Sequence, residues 1–395
     1  MKEKILKMYR DSAAANAPYG WMNYQPINLP GYEETLPLRG RDCFDRAKAI
    51  FDHLDKVFGG RPVTLCDWGC NLGFFSIEAA KRGHVAEGRD ADRRFVEICR
   101  HLASTNSFAT KPEFYVDTLS VDALERVPKK DVLLCFSVLH HLRAKEPKQY
   151  NHILQGIADG CVAAYIEMDG TNYGRNDLES FFWKVEPIVS TDDRYGKGTI
   201  HRKTMYCTNR DGGFDYRNIK TVNLVHHRGV FRRTDSSGRS TVVKRERPVA
   251  PGQSSHTWIR TTLAHEREMY EKFPSPFFPK LLSTGEIPGG ANGAPAFRWI
   301  EMDYLERSGP VTPEGIDELF RYLEDAGLFV IDLLSDSFIP VNGKLMMVDL
   351  ESMFPVVGSV AETIERNLLR ASHRAPYDTY QKQREILKQK LCGKS

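Results

Sequence analysis

The stretch Val63-Thr-Leu-Cys-Asp-Trp-Gly-Cys-Asn-Leu-Gly-Phe-Phe-Ser76 limits what this chain can fold into more than any other segment. The apolar run Val63 to Cys66 predicts a buried parallel strand that ends in Asp67. Two glycines follow in the pattern D-x-G-x-x-x-G, and a helical pattern starts at Phe74. Strand, glycine turn and helix together open a nucleotide-binding βαβ unit. The dinucleotide fingerprint G-x-G-x-x-G, which seats a pyrophosphate on a helix N-terminus, is not met. The turn instead predicts close backbone approach to a phosphate-free ligand at Gly69, Asn71 and Gly73.

Further strands follow in the order such a unit requires. Val85–Asp90 predicts a second strand whose acidic end lies about twenty residues past the turn, where a carboxylate meets ribose hydroxyls. Glu87 competes with Asp90 for that role. Phe114–Asp117, Asp131–Ser137 and Val162–Glu167 predict the next three strands, and His140-His141 follows the fourth. Asp67-Trp-Gly-Cys-Asn-Leu-Gly73, Gly88-Arg-Asp90 and Ser137-Val-Leu-His-His-Leu142 resemble class I S-adenosylmethionine (SAM)-dependent methyltransferases. The resemblance implies SAM as cofactor, with Gly69, Asn71, Gly73 and Ser137 around it. Asp67 would hold the ammonium group, Asp90 the ribose and Asp117 the adenine amino group. His140 is expected nearest the transferred methyl, with His141 beside it, and a base is needed only where the acceptor must lose a proton. Glu167 is a second pocket-edge candidate.

With 395 residues the chain is long enough for two domains. A net charge of +3 gives no strong pull toward nucleic acid. No run of 18 apolar residues predicts a membrane span, and the charged N-terminus lacks a secretory apolar region. The eight cysteines are scattered without C-x-x-C spacing, which predicts reduced core residues. Residues 1–60 are expected as an arm or lid, with Trp21 and Tyr24 available for stacking, Arg39 and Arg41 for an anion, and a helix from about Cys43 to Val57.

After a methyltransferase domain at 61–208 and a turn-rich linker at 209–220, the pattern changes. Two strands joined at Asp235-Ser-Ser-Gly238, a helix Trp258 to Phe273, a strand Phe297–Tyr304 and a helix about Pro313 to Ala326 are expected. A hairpin at Asn342-Gly343 follows. Lys244, Asp332 and Asp349 resemble the strand lysine, catalytic-loop aspartate and metal aspartate of a protein-kinase-like phosphotransferase. That implies ATP and Mg²⁺, Glu268 rather than Glu266 as the lysine's helix partner, and Asp349 with Ser337 at the metal. Val330 stands in place of the catalytic-loop histidine and Glu351 in place of the D-F-G glycine.

The expected fold class is therefore α/β: a Rossmann-like doubly wound sheet plus a C-terminal α+β protein-kinase-like domain at 221–375, then a helical tail at 376–395. The pairing is similar to bifunctional kinase–methyltransferases that terminate bacterial O-antigen chains. It implies a glycan, sugar phosphate or related metabolite as substrate, docking to a glycan-assembly protein, and a cytoplasmic location at the periphery of the inner membrane. A second reading makes the C-terminal half a non-catalytic pseudokinase module, and a third makes the chain an RNA methyltransferase.

Overall fold

The structure, a computed structural model, describes residues 2–15, 25–35, 43–145, 147–168, 174–195, 198–221, 228–247, 262–287, 297–368 and 378–393. Trp21, Tyr24, Arg39 and Arg41, named above as lid and anion contacts, lie outside the described residues. The chain divides into two units, Met1–Asn218 and Ile219–Ser395.

The first unit is built on a seven-stranded sheet. Its strands are β1 (Thr64–Trp68), β2 (Val85–Asp90), β3 (Glu113–Val116), β4 (Lys130–Cys135), β5 (Cys161–Met168), β6 (Lys184–Tyr195) and β7 (Gly198–Thr208). They lie in the order β3-β2-β1-β4-β5-β7-β6. The first five pair in parallel, whereas β7 runs antiparallel to β5 and β6 antiparallel to β7. The order reverses between β1 and β4, so a crevice forms where the C-terminal ends of these strands diverge.

Helices cover both faces. They are α1 (Lys2–Ala15), α2 (Cys43–Phe58), α3 (Phe74–Lys81), α4 (Arg93–Thr105), α5 (Val121–Arg126), α6 (Leu139–Lys145), α7 (Pro147–Gly160) and α8 (Arg175–Glu179). Cys43, Ala47, Ile50, Phe51 and Leu54 recur at helical spacing on α2 and pack with Leu65, Val132, Leu134 and Tyr165 of the sheet. On α1, Ile5 and Leu6 join Val96, Cys99 and Leu102 of α4 in a second cluster.

The segment 209–220, expected as a linker, contains the division between the units and carries a hairpin of β8 (Arg210–Asp211) and β9 (Phe214–Thr221). Gly212 and Gly213, at φ 56° and 84°, form its turn. Tyr216 stacks on Trp183 at 4.1 Å between ring centres, and the Asn218 amide donates to the Ser180 carbonyl. Glycines that looked like linker punctuation are hairpin chemistry, and the boundary falls inside β9.

In the second unit, β10 (Arg228–Thr234), β11 (Ser240–Glu246), β12 (Leu281–Ile287) and β13 (Phe297–Asp303) pair antiparallel in the order β12-β13-β11-β10. Helix α9 (Leu263–Lys272) and α10 (Pro313–Asp325) supply its apolar core with Leu263, Met269, Ile316, Phe320 and Leu323. The short strands β14 (Leu328–Val330) and β17 (Met353–Pro355) pair with each other. Between them lies the hairpin of β15 (Phe338–Val341) and β16 (Lys344–Met347). Its turn residues Asn342 and Gly343 sit at φ 48° and 81°, as a two-residue turn matched to strand twist requires. Helices α11 (Val360–Asn367) and α12 (Tyr380–Cys392) close the unit. A doubly wound sheet followed by an α+β unit is observed, as expected. Among the described residues no helix is long and apolar enough to cross a membrane.

Candidate functional site

The glycine turn lies at the sheet's switch point. Gly69 and Cys70 donate their backbone N–H groups to the Arg89 carbonyl at 2.8 and 3.0 Å, which ties the turn to β2. Gly69 has φ 75°, and a Cβ there would lie 2.4 Å from Cγ2 of Val138. Gly73 has φ 70°, and a Cβ there would lie 2.9 Å from the Phe114 ring. Asn71 takes the left-handed conformation without being glycine, as does Ser137 after β4. Two such residues at one sheet edge mark a backbone held in a costly shape by its surroundings.

Asp90 stands where the sequence placed it, at the end of β2, but its carboxylate already has work to do. One oxygen accepts from Asn71 N and the other from Asp92 N, both at 2.8 Å. Burial outweighs these two amides and raises its pKa. Each oxygen keeps a lone pair for a further donor. Glu87 is turned away to Arg89 and Lys130 at 3.0 and 2.9 Å. Asp117, expected at an adenine, gives its carboxylate to Arg89 at 2.8 Å.

Asp67 is buried and accepts from the Ser76 hydroxyl at 3.0 Å. Desolvation pushes its pKa up to about 7, opposed by that hydroxyl. Asn71 Oδ1 is also buried and has no hydrogen-bond partner among the described residues. Both groups are acceptors that a bound ammonium would satisfy. The turn thus fits the methionine part of SAM: left-handed glycine backbone packed too closely by Val138 and Phe114 for any Cβ, with buried acceptors beside it.

Ser137 donates to Glu167 Oε1 at 2.6 Å. Glu167, at the end of β5, also takes Arg202 of β7 at 2.9 Å and Arg46 of α2. The rings of His140 and His141 lie 3.9 Å apart between centres at the start of α6. Ser137, Glu167 and the histidine pair therefore follow the ends of β4 and β5, beside the crevice. Arg46 and Arg202 were not anticipated. Asp45-Arg-Ala-Lys48 on an amphipathic helix looks like a solvated face, and only the helical spacing of Cys43, Arg46, Ala47 and Ile50 would have placed Arg46 inward.

In the second unit Lys244 donates to Glu266 Oε1 at 2.5 Å, to the Val348 carbonyl at 2.9 Å and to Asp349 Oδ1 at 3.2 Å. The expected partner Glu268 is incorrect. It lies on the outer face of α9 and pairs with Lys272 at 2.5 Å. Leu263, Glu266, Met269 and Tyr270 form the buried stripe of that helix, and position 268 is off it. Glu266, Asp349 and Glu351 bring carboxylate oxygens within 4.8 Å of one another, close enough to share a divalent cation. Ser337, expected with Asp349 at a metal, is buried, and its carbonyl accepts from Val348 N at 2.9 Å, one residue before Asp349. Asp332 follows β14, and its carbonyl accepts from the Ser352 hydroxyl at 3.1 Å.

The tail helix α12 braces this loop. Tyr380 OH donates to the Leu328 carbonyl at 2.9 Å, Gln383 Nε2 to the Val330 carbonyl and Lys390 Nζ to the Leu333 carbonyl at 3.1 Å. These carbonyls bracket Asp332. Gln383→Leu removes the donor to a buried carbonyl and is expected to lower stability by about 1–3 kcal/mol, read from urea denaturation.

No protein-family profile matches the chain. An Escherichia coli protein described as the O-antigen chain terminator bifunctional methyltransferase/kinase WbdD is 32% identical over 152 residues, 37% of this chain and 20% of the relative. A second WbdD of E. coli is 33% identical over 135 residues, 32% of this chain and 18% of the relative. The chain thus spans about a fifth of the length of the curated relatives it matches. A solved structure of the bifunctional kinase-methyltransferase WbdD covers 96% of this chain and 94% of its own, at 18% identity and a TM-score of 0.46. The magnesium protoporphyrin IX methyltransferase of Synechocystis PCC 6803 with bound SAM covers 51% of this chain and 97% of its own, at 14% identity and a TM-score of 0.35.

Proposed function

We propose that the first unit is a SAM-dependent methyltransferase and the second a kinase-like unit that binds ATP and Mg²⁺, acting together on a glycan or sugar phosphate in polysaccharide assembly. The observation that carries the reading is the glycine turn at the β1/β4 switch point, where Gly69 and Gly73 hold left-handed backbone beside buried acceptors on Asp67 and Asn71. The partial identity to O-antigen chain terminators supports the choice of substrate class. When bound, SAM would supply an electrophilic methyl group to the acceptor. The chain's share is positioning and exclusion of water. His140 and His141 stand on the acceptor side. With a phosphate acceptor they orient it, and with a hydroxyl acceptor His140 takes the proton. Lys244, paired with Glu266, would hold nucleotide phosphates, with Asp349 and Ser337 at the metal and Asp332 facing the phosphoryl acceptor. The setting is cytoplasmic, at the inner face of the membrane, docked to glycan-assembly proteins.

A second reading, a nucleotide-binding unit without phosphate transfer, is favoured by Val330 and Glu351 in place of the kinase histidine and glycine. An RNA substrate is disfavoured by the net charge of +3.

Incubating the intact protein with labelled SAM and ATP in a cell extract, and identifying the labelled product, tests the reading. SAM should bind in calorimetry, and Gly69→Val should abolish binding, because valine at φ 75° is strained and its side chain meets Val138. No SAM binding by the wild type sinks the methyltransferase. An ATP–Mg²⁺ thermal shift that depends on Lys244 but yields no transfer points to the pseudokinase.

A further inference from the structure

Val330 lies two residues before Asp332, and its side chain can make no hydrogen bond. Its backbone is nonetheless fastened, by Gln383 of α12, 53 residues later. Among the described residues β14 has one strand neighbour, β17. The buried residues Leu328 and Val330 present their carbonyls to α12, where the Tyr380 hydroxyl at 2.9 Å and Gln383 Nε2 donate to them. Lys390 Nζ reaches past the strand to the Leu333 carbonyl at 3.1 Å, next to Asp332. The Ser352 hydroxyl donates to the Asp332 carbonyl at 3.1 Å. Helix α12 is itself held in place. Arg384 pairs with Glu324 and Lys388 with Asp317 at 2.7 Å, both on α10. Leu387 is buried in the same apolar cluster as Leu333 and Phe338, which flank the loop.

Packing alone does not account for this stripe. Tyr380, Gln383, Leu387 and Lys390 recur at helical spacing on one face, and three of the four are hydrogen-bond donors. A buried amide is costly unless it is bonded, so apolar residues would suffice for a helix that only packs. Completing the edge of β14 explains Tyr380 and Gln383. It does not explain Lys390, whose partner lies in the loop. A lysine gives up much side-chain freedom to hold one carbonyl.

We infer that Gln383 and Lys390 are positioning residues for Asp332: they fix the backbone on either side of it and so set its carboxylate against the phosphoryl acceptor. This rests on reading the second unit as a phosphotransferase and deepens it. The missing loop histidine then no longer speaks for a pseudokinase, since the loop is fastened from α12.

The test measures labelled phosphate released from ATP–Mg²⁺ by the intact chain, with water as acceptor and Asp332→Asn as the floor. The water oxygen bonds the γ-phosphorus as the bond to the β–γ bridging oxygen breaks, ADP leaves, and Asp332 takes the water's proton. Gln383→Leu and Lys390→Met should each lower kcat about tenfold or more, since slight misplacement of a reacting group is costly. KM for ATP should stay within about twofold, because Lys244 with Glu266 and Asp349 holds the nucleotide end. Lys390→Arg keeps a donor and should recover most of the loss. Tyr380→Phe removes a similar bond at Leu328, ahead of the loop, and should keep kcat within about twofold. Lys390 is exposed, so Lys390→Met remains informative where Gln383→Leu fails to fold. Folded Lys390→Met with wild-type kcat overturns the inference, as does an equal loss in Tyr380→Phe. Wild type at the Asp332→Asn floor sinks the phosphotransferase reading instead. Hydrogen exchange at Leu334 to Ser337 then decides the brace alone: about tenfold faster in Lys390→Met if α12 holds the loop, unchanged if it does not.

Discussion

Asp67→Asn is expected to make the protein more stable at pH 8 while weakening its hold on SAM. The carboxyl is buried, and its pKa in the folded chain is raised from 3.8 to about 7. Between those values the folded state binds more protons than the unfolded state, so stability falls as pH rises through this window. Below pH 4 both states are protonated and the penalty vanishes. Above pH 7 it is present in full, at most ~4 kcal/mol. Asparagine keeps an oxygen for the Ser76 hydroxyl at 3.0 Å and carries no charge to desolvate. Urea midpoints for wild type and variant should therefore differ little at pH 4 and diverge by pH 8 in the variant's favour. SAM affinity should move the other way, because the ammonium loses its anionic partner. Midpoints that keep the same separation at both pH values would show that Asp67 is not the buried acid described. The trade follows from what a binding site needs: the charge that attracts the ligand is a burden until the ligand arrives.

How far the sequence announced this depends on how local each cause is. Strands β1, β4 and β5 were legible because doubly covered parallel strands are apolar runs, and β2 because its acidic end falls about twenty residues past the glycine turn. The Asn342-Gly343 turn was legible because few residues accept its backbone angles. The hairpin of β6 and β7 was not: β6 is an edge strand carrying Glu186, Asp192 and Asp193, which blurs any alternation. Helix α12 looked like a polar tail because only Gln383 and Leu387 of its residues are buried, yet its donors reach a loop about fifty residues earlier. Arg46 was hidden for a related reason, since its partner Glu167 lies 121 residues away. Asp67, Gly69 and Gly73 act through their own backbone and burial, and a motif records that. Arg46 and Glu266 act through distant partners, and no short pattern does.

Glu266 and Glu268 put that distinction to a quantitative test. Glu266→Gln should cost about 3 kcal/mol or more, and Glu268→Gln no more than about 0.5 kcal/mol. Glu266 is fully buried, receives the Lys244 ammonium at 2.5 Å and accepts from Leu350 N at 3.2 Å. Glutamine keeps one oxygen for Leu350 N but removes the charge, so among the described residues Asp349 at 3.2 Å is left as the anionic partner of a buried Lys244, beside the Val348 carbonyl at 2.9 Å. Asp349 would then be drawn further onto Lys244 and away from a metal, so nucleotide binding should weaken together with stability. Among the described residues Glu268 pairs with Lys272 one turn away, on a surface where solvent screens the contact. The two substitutions are chemically identical and lie two residues apart on one helix, so the difference between them isolates the buried partner. The double replacement Lys244→Met with Glu266→Leu should recover much of the lost stability, since packed apolar groups tolerate that site better than one unpaired charge, while leaving nucleotide binding lost. Guanidinium denaturation of the four proteins measures each of these changes. A larger loss for Glu268→Gln than for Glu266→Gln would mean that the lysine's partner has been misassigned.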